Sequence, residues 1–574
     1  MDETLQKSFI AGVERVAAWA DLLDSINVFP VADGDTGRNL FISLTPLLAV
    51  HQEKAAVIHR LLLSARGNSG NIASRFFSAF YQIDSLQNLH SGAREGRDRA
   101  WKAVADPRPG TMLSLFDTLV DSLPSSAAAF DQKAVNALIS DLEKSVHDTC
   151  EMLPKLKKAG VVDAGALGMY IFFEGFFYSI AGGLQEFRPI TELFKNRLNI
   201  SSAFQEEAET GYCVDFVIQA NNLSEEKLAN ITREQESVIV IPDGDFYKFH
   251  LHTDDREKIR GEAAKFGSMV NWEDDNLSQQ INELRNTKAL SELHIMTDAA
   301  GSLTRADAKN YGMTLLHSYI NLGDKCLPET HFHPGELYDS MRRGIKVSTS
   351  QASIFERHQF YESVLDRFKK VLYLCVGSIY TGNYATAVEW KKKHDLQNRF
   401  VVIDTGAASG RLATIALAAN RYLMETQDME KTVAFATRTL RTCEEYVFLD
   451  KLEYLAAGGR LSKTSAFFGD MLKMKPVVSP QPEGAKKVGV VRNGKDQIKM
   501  ARERLAASLA REEKAMIMLE YSDNFDLVNG KIRSLIAADF PQAEIIIQPL
   551  SLTSGAHMGP GTWAIAFLPE AGAL

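Results

Sequence analysis

Asn27-Val28-Phe29-Pro30-Val31-Ala32-Asp33-Gly34-Asp35-Thr36-Gly37-Arg38-Asn39 is the stretch on which the reading of the chain turns. Asp33 and Asp35 stand two residues apart on a tight Gly-containing loop. Such a pair suits one or two Mg²⁺ ions shared with phosphate, because Mg²⁺ prefers hard oxygen ligands. Asn27, six residues before Asp33, adds a carbonyl ligand in this reading. Taken alone, Asp-Gly-Asp is explained equally well by a capped helix or a turn. The flanks help to decide. Apolar residues recur at spacings near three and four over Leu5–Leu23, Ala55–Leu63, Ile72–Ile83, Ala134–Met152 and Met169–Phe177, which predicts helices. Gly, Asp and Asn fall in their connections, so polar chemistry gathers at the loop end of a helical bundle reaching to about residue 195.

Three further loops share that character. Gly67-Asn68-Ser69-Gly70-Asn71 precedes a helix, whose free N–H groups can grip phosphate oxygens. Gly110-Thr111-Met112-Leu113 and Asp163-Ala164-Gly165-Ala166-Leu167-Gly168 are additional small-residue helix entries. Any one of them reads as an ordinary cap; four at the ends of consecutive helices favour a phosphate site.

Outward from this end the pattern changes. Tyr212–Ala220, Ser237–Ile241 and Tyr247–His252 predict short strands, with helices over Ser224–Asn230 and Asp255–Phe266, a small α/β module. From about Leu293, short buried strands (His294–Thr297, Val371–Val376, Phe400–Asp404) alternate with helices such as Gly410–Met424. That alternation predicts a parallel α/β sheet with ligands at the strands' carboxyl ends. A second half begins near Tyr446 and closes with Ala515–Glu520, Glu544–Pro549 and Trp563–Phe567. The expected domains are 1–200, 205–288 and 291–574, the last with lobes at about 291–440 and 441–574.

Composition sets the outer bounds. A length of 574 residues suggests three or four domains, and 45% hydrophobic with 24% charged residues supports folded cores. The net charge of −9 argues against a nucleic-acid binder with a broad basic face. Five scattered cysteines form no disulfide framework and suit a reducing cytoplasm. No signal peptide is evident, and the apolar stretches are too short for an integral membrane protein.

Residues 1 to about 195 resemble the nucleotide-binding domain of dihydroxyacetone (glycerone) kinases, in the variant found in bacterial fatty-acid kinases. The strings that carry the resemblance are Asn27–Asn39, Ala65-Arg66-Gly67-Asn68-Ser69-Gly70, Gly110-Thr111-Met112 and Val162-Asp163-Ala164-Gly165. It implies a barrel of antiparallel helices that binds ATP and Mg²⁺ at its loop end. Asp33 and Asp35 would be metal ligands, and Asn27 and Thr36 would belong to the catalytic loop. Gly67, Asn68, Ser69, Gly70, Gly110, Thr111, Met112, Asp163 and Gly165 would surround the nucleotide. Val28 replaces the first of three metal-binding aspartates of dihydroxyacetone kinases, and Thr36 replaces the histidine after the last. Both departures match the fatty-acid kinase variant and count against a triose substrate.

Lys248-Phe249-His250-Leu251-His252 puts two imidazoles on one face of a strand, where Cys213 could reach them across a sheet. His-x-His alone is more often surface decoration. The segment resembles the middle domain of fatty-acid kinase, which implies that Cys213, His250 and His252 bind Zn²⁺. From about Leu293 onward the chain resembles the DegV family of fatty-acid-binding proteins. The matching strings are Thr297-Asp298, Thr349–Ser353, Gly377–Tyr384, Leu452–Ser462 and Ala556–Gly561. The resemblance implies a two-part α/β protein that buries an acyl chain, its carboxylate held by Thr349, Ser350, Ser378, Arg460 and His557. Arg460 supplies a permanent forked charge, His557 a titratable donor, and the others hydroxyls. Ala299-Ala300 stand where the family has Ser-Thr, and Gly377 replaces the first serine of a pair. A tail site around Phe467, Phe468, Met471 and Leu472 stays unassigned, because Lys473 and Lys475 interrupt the stripe.

Together these readings describe a kinase fused to its acyl carrier. It would phosphorylate a bound fatty acid with ATP, work as a homodimer, and feed a downstream acyltransferase. The alternatives are a glycerone-type kinase with an accessory lipid domain and a non-catalytic lipid-binding sensor.

Overall fold

The computed structural model describes residues 1–123, 130–182, 187–205, 210–220, 223–285, 292–323, 325–457 and 474–569. The chain forms two compact units, Met1–Thr287 and Lys288–Leu574.

The first unit opens with helices Glu3–Ser25, Thr36–Leu44, Lys54–Ser64, Gly67–Phe80, Leu89–Ala103, Met112–Ser122, Gln132–Met152, Pro154–Ala159 and Ala164–Ile180. Phe9, Phe76, Phe77, Phe80, Phe116, Phe172, Phe173 and Phe176 are all buried and fill the space between helices with edge-on and stacked rings. Leu89–Ala103 shows no apolar periodicity because its buried side is mostly Gly92, Ala93, Gly96, Ala100 and Ala103. Thr36–Leu44 sits against the first helix so tightly that a Cβ on Gly37 would lie 2.1 Å from the Ala20 carbonyl oxygen. Backbone touches backbone there, and only glycine permits it.

The same unit continues into an antiparallel sheet in the order Glu236–Asp243, Phe246–Thr253, Tyr212–Gln219, Ser268–Asn276. The first two of these strands meet through the two-residue turn Gly244-Asp245, where Gly244 has φ 58°. Strand alternation divides the side chains into two sets. Val214, Phe216, Ile218, Phe249 and Leu251 pack beneath helices Glu225–Thr232 and Arg256–Phe266, with Ile231, Ile259 and Ala263. Cys213, Asp215, Lys248, His250 and His252 occupy the opposite face, with Cys213 paired to His252 and Asp215 to His250. Ser268–Asn276 was not an expected strand; its acidic end, Glu273-Asp274-Asp275, carries no apolar alternation.

The second unit holds a parallel sheet in the order Phe400–Asp404, Lys370–Cys375, Leu293–Asp298, Met313–Leu316, which agrees with the alternation read from sequence. A six-stranded sheet follows, in the order Gly484–Val491, Lys475–Gln481, Glu444–Phe448, Trp563–Leu568, Met516–Tyr521, Glu544–Pro549. Only its last pair is parallel; the others are antiparallel. A three-stranded sheet (Lys325–Pro328, Ser318–Leu322, Val347–Gln351) completes the unit.

Helix Ser409–Thr426 begins over two buried carboxyls, Glu445 and Glu520, on strands flanking Trp563–Leu568. Ser409 Oγ (2.6 Å) and the Arg411 N–H (3.0 Å) donate to Glu445. Burial, then the charge of Glu445, pushes Glu520 well above the usual carboxylate range. A raised folded-state pKa contributes stability at low pH that is lost as pH climbs from the unfolded value through the folded one. Glu520→Gln should therefore flatten the loss of stability as pH climbs above the ordinary carboxylate range, read by thermal melting at a series of pH values. An unchanged slope would count against a raised Glu520 carboxyl.

Candidate functional site

The Asn27–Asn39 loop is knit to itself. Asn27 Nδ2 donates to Asp33 Oδ1, and Thr36 Oγ1 donates to Asn27 Oδ1 at 2.6 Å. The Asn27 carbonyl, expected as a metal ligand, accepts from Thr36, so the amide spans the loop and serves both neighbours. Thr36 also lies 3.4 Å from Ser69 Oγ, which joins this loop to the first turn of helix Gly67–Phe80. Gln280 donates to Asp35 at 3.3 Å. Burial and the neighbouring Asp35 charge push Asp33 well above the ordinary carboxylate range. Asp35 is also raised, by burial against the opposing pull of Arg38. Two neighbouring carboxylates, Asp35 buried and Asp33 half-buried, suit a shared hard cation, so these residues fit Mg²⁺ on a phosphate.

Gly67, Asn68, Ser69 and Gly70 form a helical first turn rather than a loop before the helix. The Gly67 N–H, expected to cradle phosphate, donates instead to Asp215 Oδ2 at 2.8 Å, and the Gly70 N–H donates to the Arg66 carbonyl. Asn68 and Ser69 still line the pocket. Thr111 caps helix Met112–Ser122 and Asp163 caps Ala164–Ile180, with Asp163 accepting from the Ala166 N–H at 2.7 Å. Burial raises the Asp163 carboxyl to about 7. Gly165 joins this neighbourhood: a Cβ there would lie 2.6 Å from the Met112 methyl and 3.4 Å from Ser69 Oγ. Gly110, with φ 85°, stands just before the Met112 helix.

Cys213, His250 and His252 are buried together, their candidate ligand atoms all within 4.8 Å of one another. Cys213 Sγ lies 4.0 Å from His250 Nδ1. Burial, then His250, lowers His252 to about 3, so its ring is neutral near pH 7. His250 Nε2 is buried with no hydrogen-bond partner among the described residues. A thiol and two imidazoles, one nitrogen orphaned, make a donor set that fits Zn²⁺. One pocket is lined by Asn27, Asp33, Asp35 and Thr36, by Gly67, Asn68 and Ser69, and by Cys213, His250 and His252.

Several charged residues bonded to or paired around these elements escaped the sequence reading. Asp215 lies two positions after Cys213 on the same strand face, a period-two signal available in the sequence. Lys248 precedes His250 by two and pairs with Asp215 at 3.1 Å. Arg66 and Arg38, inside the quoted strings, pair with Glu273 and Asp275.

In the second unit, Thr349 Oγ1 lies 3.2 Å from His557 Nε2, bringing those two predicted residues together. Ser350 Oγ accepts from Asn321 at 3.2 Å, and the Ser378 N–H donates to Asp404 at 3.0 Å. Asp298 is wholly buried and accepts from Tyr373, the Val376 N–H and Asn383, so it fastens the loop that carries Ser378. A Cβ on Gly377 would lie 2.8 Å from Gly406 Cα, which explains why no serine stands there. Ala299 and Ala300 are core residues, and Ser302 behind them accepts from the Ser551 N–H. Arg460 and the Phe467–Leu472 stripe lie outside the described residues. Among the described residues, no helix is long and apolar enough to cross a membrane.

Comparison with known proteins assigns all three segments. Residues 30–178 match the DAK2 domain, 209–284 the middle domain of FakA-like fatty acid kinases, and 292–570 the DegV family. Uncharacterized protein SH1689 of Staphylococcus haemolyticus is 27% identical over 318 residues, 49% of this chain and 56% of that one. Protein YloV of Bacillus subtilis is 27% identical over 306 residues, 48% and 55% of the two chains. The chain thus spans about half the length of the curated relatives it matches. A fatty-acid-binding DegV family protein from Thermus thermophilus is 25% identical, covering 48% of this chain and 99% of that one with a TM-score of 0.45. DegV from Bacillus subtilis, a fatty acid binding protein, is 19% identical with the same coverages and TM-score.

Proposed function

The chain joins a DAK2 domain, a FakA-like fatty acid kinase middle domain and a DegV domain in one polypeptide, and on that premise we propose that it phosphorylates a fatty acid with ATP. The observation that carries this reading is the single pocket lined by Asp33, Asp35, the Gly67–Ser69 turn and the Cys213–His250–His252 cluster. Asp33 and Asp35 would hold Mg²⁺, which when bound supplies positive charge against the phosphates. Thr36, Asn68 and Ser69 would orient the phosphates, and Gly110, Thr111, Met112, Asp163 and Gly165 would shape the nucleotide side. Cys213, His250 and His252 would hold Zn²⁺ beside the transfer site.

In the DegV domain, Thr349, Ser350, Ser378, Arg460 and His557 would hold the acid's head group. An ionised carboxylate oxygen attacks the γ-phosphorus, the bond to the β-phosphate oxygen breaks, and ADP leaves with the electron pair. The acceptor is already anionic near pH 7, so positioning and charge stabilisation supply most of the catalysis. The mixed anhydride formed calls for an acyltransferase to consume it. The reading includes a homodimer in the cytoplasm, where reduced cysteines and ATP coexist.

The test is trapping of acyl hydroxamate from ATP, Mg²⁺ and a long-chain acid, with dihydroxyacetone as competing acceptor. Product from the acid and none from the triose is expected. Absence of acyl product, or turnover of the triose instead, would overturn the assignment.

A further inference from the structure

Asp215 stands apart from the residues assigned above, yet its carboxylate reaches both halves of the site. Oδ2 accepts the Gly67 N–H at 2.8 Å and lies 3.1 Å from His250 Nδ1. Oδ1 accepts from Asn71 Nδ2 at 2.9 Å and pairs with Lys248 Nζ at 3.1 Å. Four donors thus converge on one carboxylate: two from helix Gly67–Phe80 and two from strand Phe246–Thr253. The Asp215 and Lys248 side chains are only 8% and 1% exposed.

We propose that Asp215 is a positioning residue that couples the Cys213–His250–His252 cluster to the nucleotide turn. The inference rests on the reading that the cluster holds a metal ion. With the His250 Nδ1 proton directed at Asp215, the ring's free lone pair is on Nε2, the buried nitrogen with no partner among the described residues. A carboxylate behind a metal-ligating histidine fixes its tautomer and raises its basicity. The same carboxylate takes the first N–H of helix Gly67–Phe80, whose next residues, Asn68 and Ser69, line the pocket. A ligand that draws His250 toward itself therefore also sets the start of the helix facing the phosphates. By linkage, nucleotide at that turn must tighten metal at the cluster by the same factor.

The experiment uses the full chain, stripped by chelator and reloaded with Zn²⁺. Zinc affinity is read by competition with a chromophoric chelator, and Mg²⁺–ADP affinity by titration calorimetry with and without zinc. In the natural protein zinc should tighten Mg²⁺–ADP about fivefold or more, and Mg²⁺–ADP should tighten zinc equally. Asp215→Asn should weaken zinc about 10- to 100-fold and bring the coupling to unity. Asn71→Ala leaves the His250 side intact; it should keep near-normal zinc affinity while reducing the coupling, and it serves if Asp215→Asn does not fold. Zinc bound normally but with no coupling to nucleotide, or with Asp215→Asn within about twofold of the natural protein, would overturn this inference alone. A natural protein that binds no zinc would overturn the metal reading and this inference with it.

Discussion

Asp33→Asn and Asp35→Asn should each cost at least about 10³-fold in acyl phosphate formation, because in the proposed reaction each would remove a charge that holds metal against the transferred phosphoryl group. Asp33→Asn should also make the metal-free protein more heat-stable at neutral pH. The Asp33 carboxyl lies well above its ordinary range, first from burial and second from the Asp35 charge. As pH rises, the unfolded chain gives up this proton before the folded chain does. Stability therefore falls between the unfolded and the folded pKa, and stays lower above both. Asparagine removes that fall. Each kcal/mol recovered is worth about 2–4 °C in a domain of this kind. Mg²⁺ should reverse the order, raising the melting temperature of the natural protein but little that of the variant. Melting curves from pH 4.5 to 8, with and without Mg²⁺, together with the transfer assay, check both halves. A variant less stable than the natural chain at neutral pH without Mg²⁺ would mark Asp33 as structural.

Cys213→Ala and His252→Ala should abolish stoichiometric zinc and lower kcat by about 10²-fold or more, with a smaller change in KM for ATP. The His252 ring is held neutral by burial and by its neighbour His250, so its lone pair is available throughout the working pH range. Cys213 would be the softest ligand of the three and lies in the pocket that contains Asp33 and Asp35. A structural zinc far from the chemistry would give folding defects with normal turnover in the folded fraction. A site in the transfer pocket gives folded protein with depressed kcat. Elemental analysis paired with steady-state kinetics separates the two outcomes; normal zinc content or full turnover in Cys213→Ala would sink the assignment.

The sequence was most legible where periodicity is strong. The long helices at Glu3–Ser25 and Gln132–Met152 and the strands Phe400–Asp404 and Glu544–Pro549 follow directly from apolar spacing. Helix Leu89–Ala103 and strand Ser268–Asn276 did not, because one buries glycine and alanine and the other closes with three acids and an asparagine. The site was legible as separate strings and illegible as one place. Nothing local to Cys213 or Asp33 reports that a strand and a loop 180 residues apart in the chain share a pocket. Asp215 was hidden for a subtler reason. Its period-two relation runs to Cys213, on the strand that pairs with the histidines, and not to the His-x-His string itself.

The two-residue turn Gly244-Asp245 carries more than a chain reversal. It fixes which side of strand Phe246–Thr253 bears Lys248, His250 and His252 and which bears Phe249 and Leu251. A single inserted or deleted residue there would exchange the two sets, since side chains alternate strictly along a strand. The imidazoles would then face the helices Glu225–Thr232 and Arg256–Phe266, and the phenyl and leucyl groups would face the aspartates. Point substitutions on this strand can damage packing and chemistry separately, whereas a change in turn length damages both at once. The hairpin should therefore tolerate changes of residue type far better than changes of length.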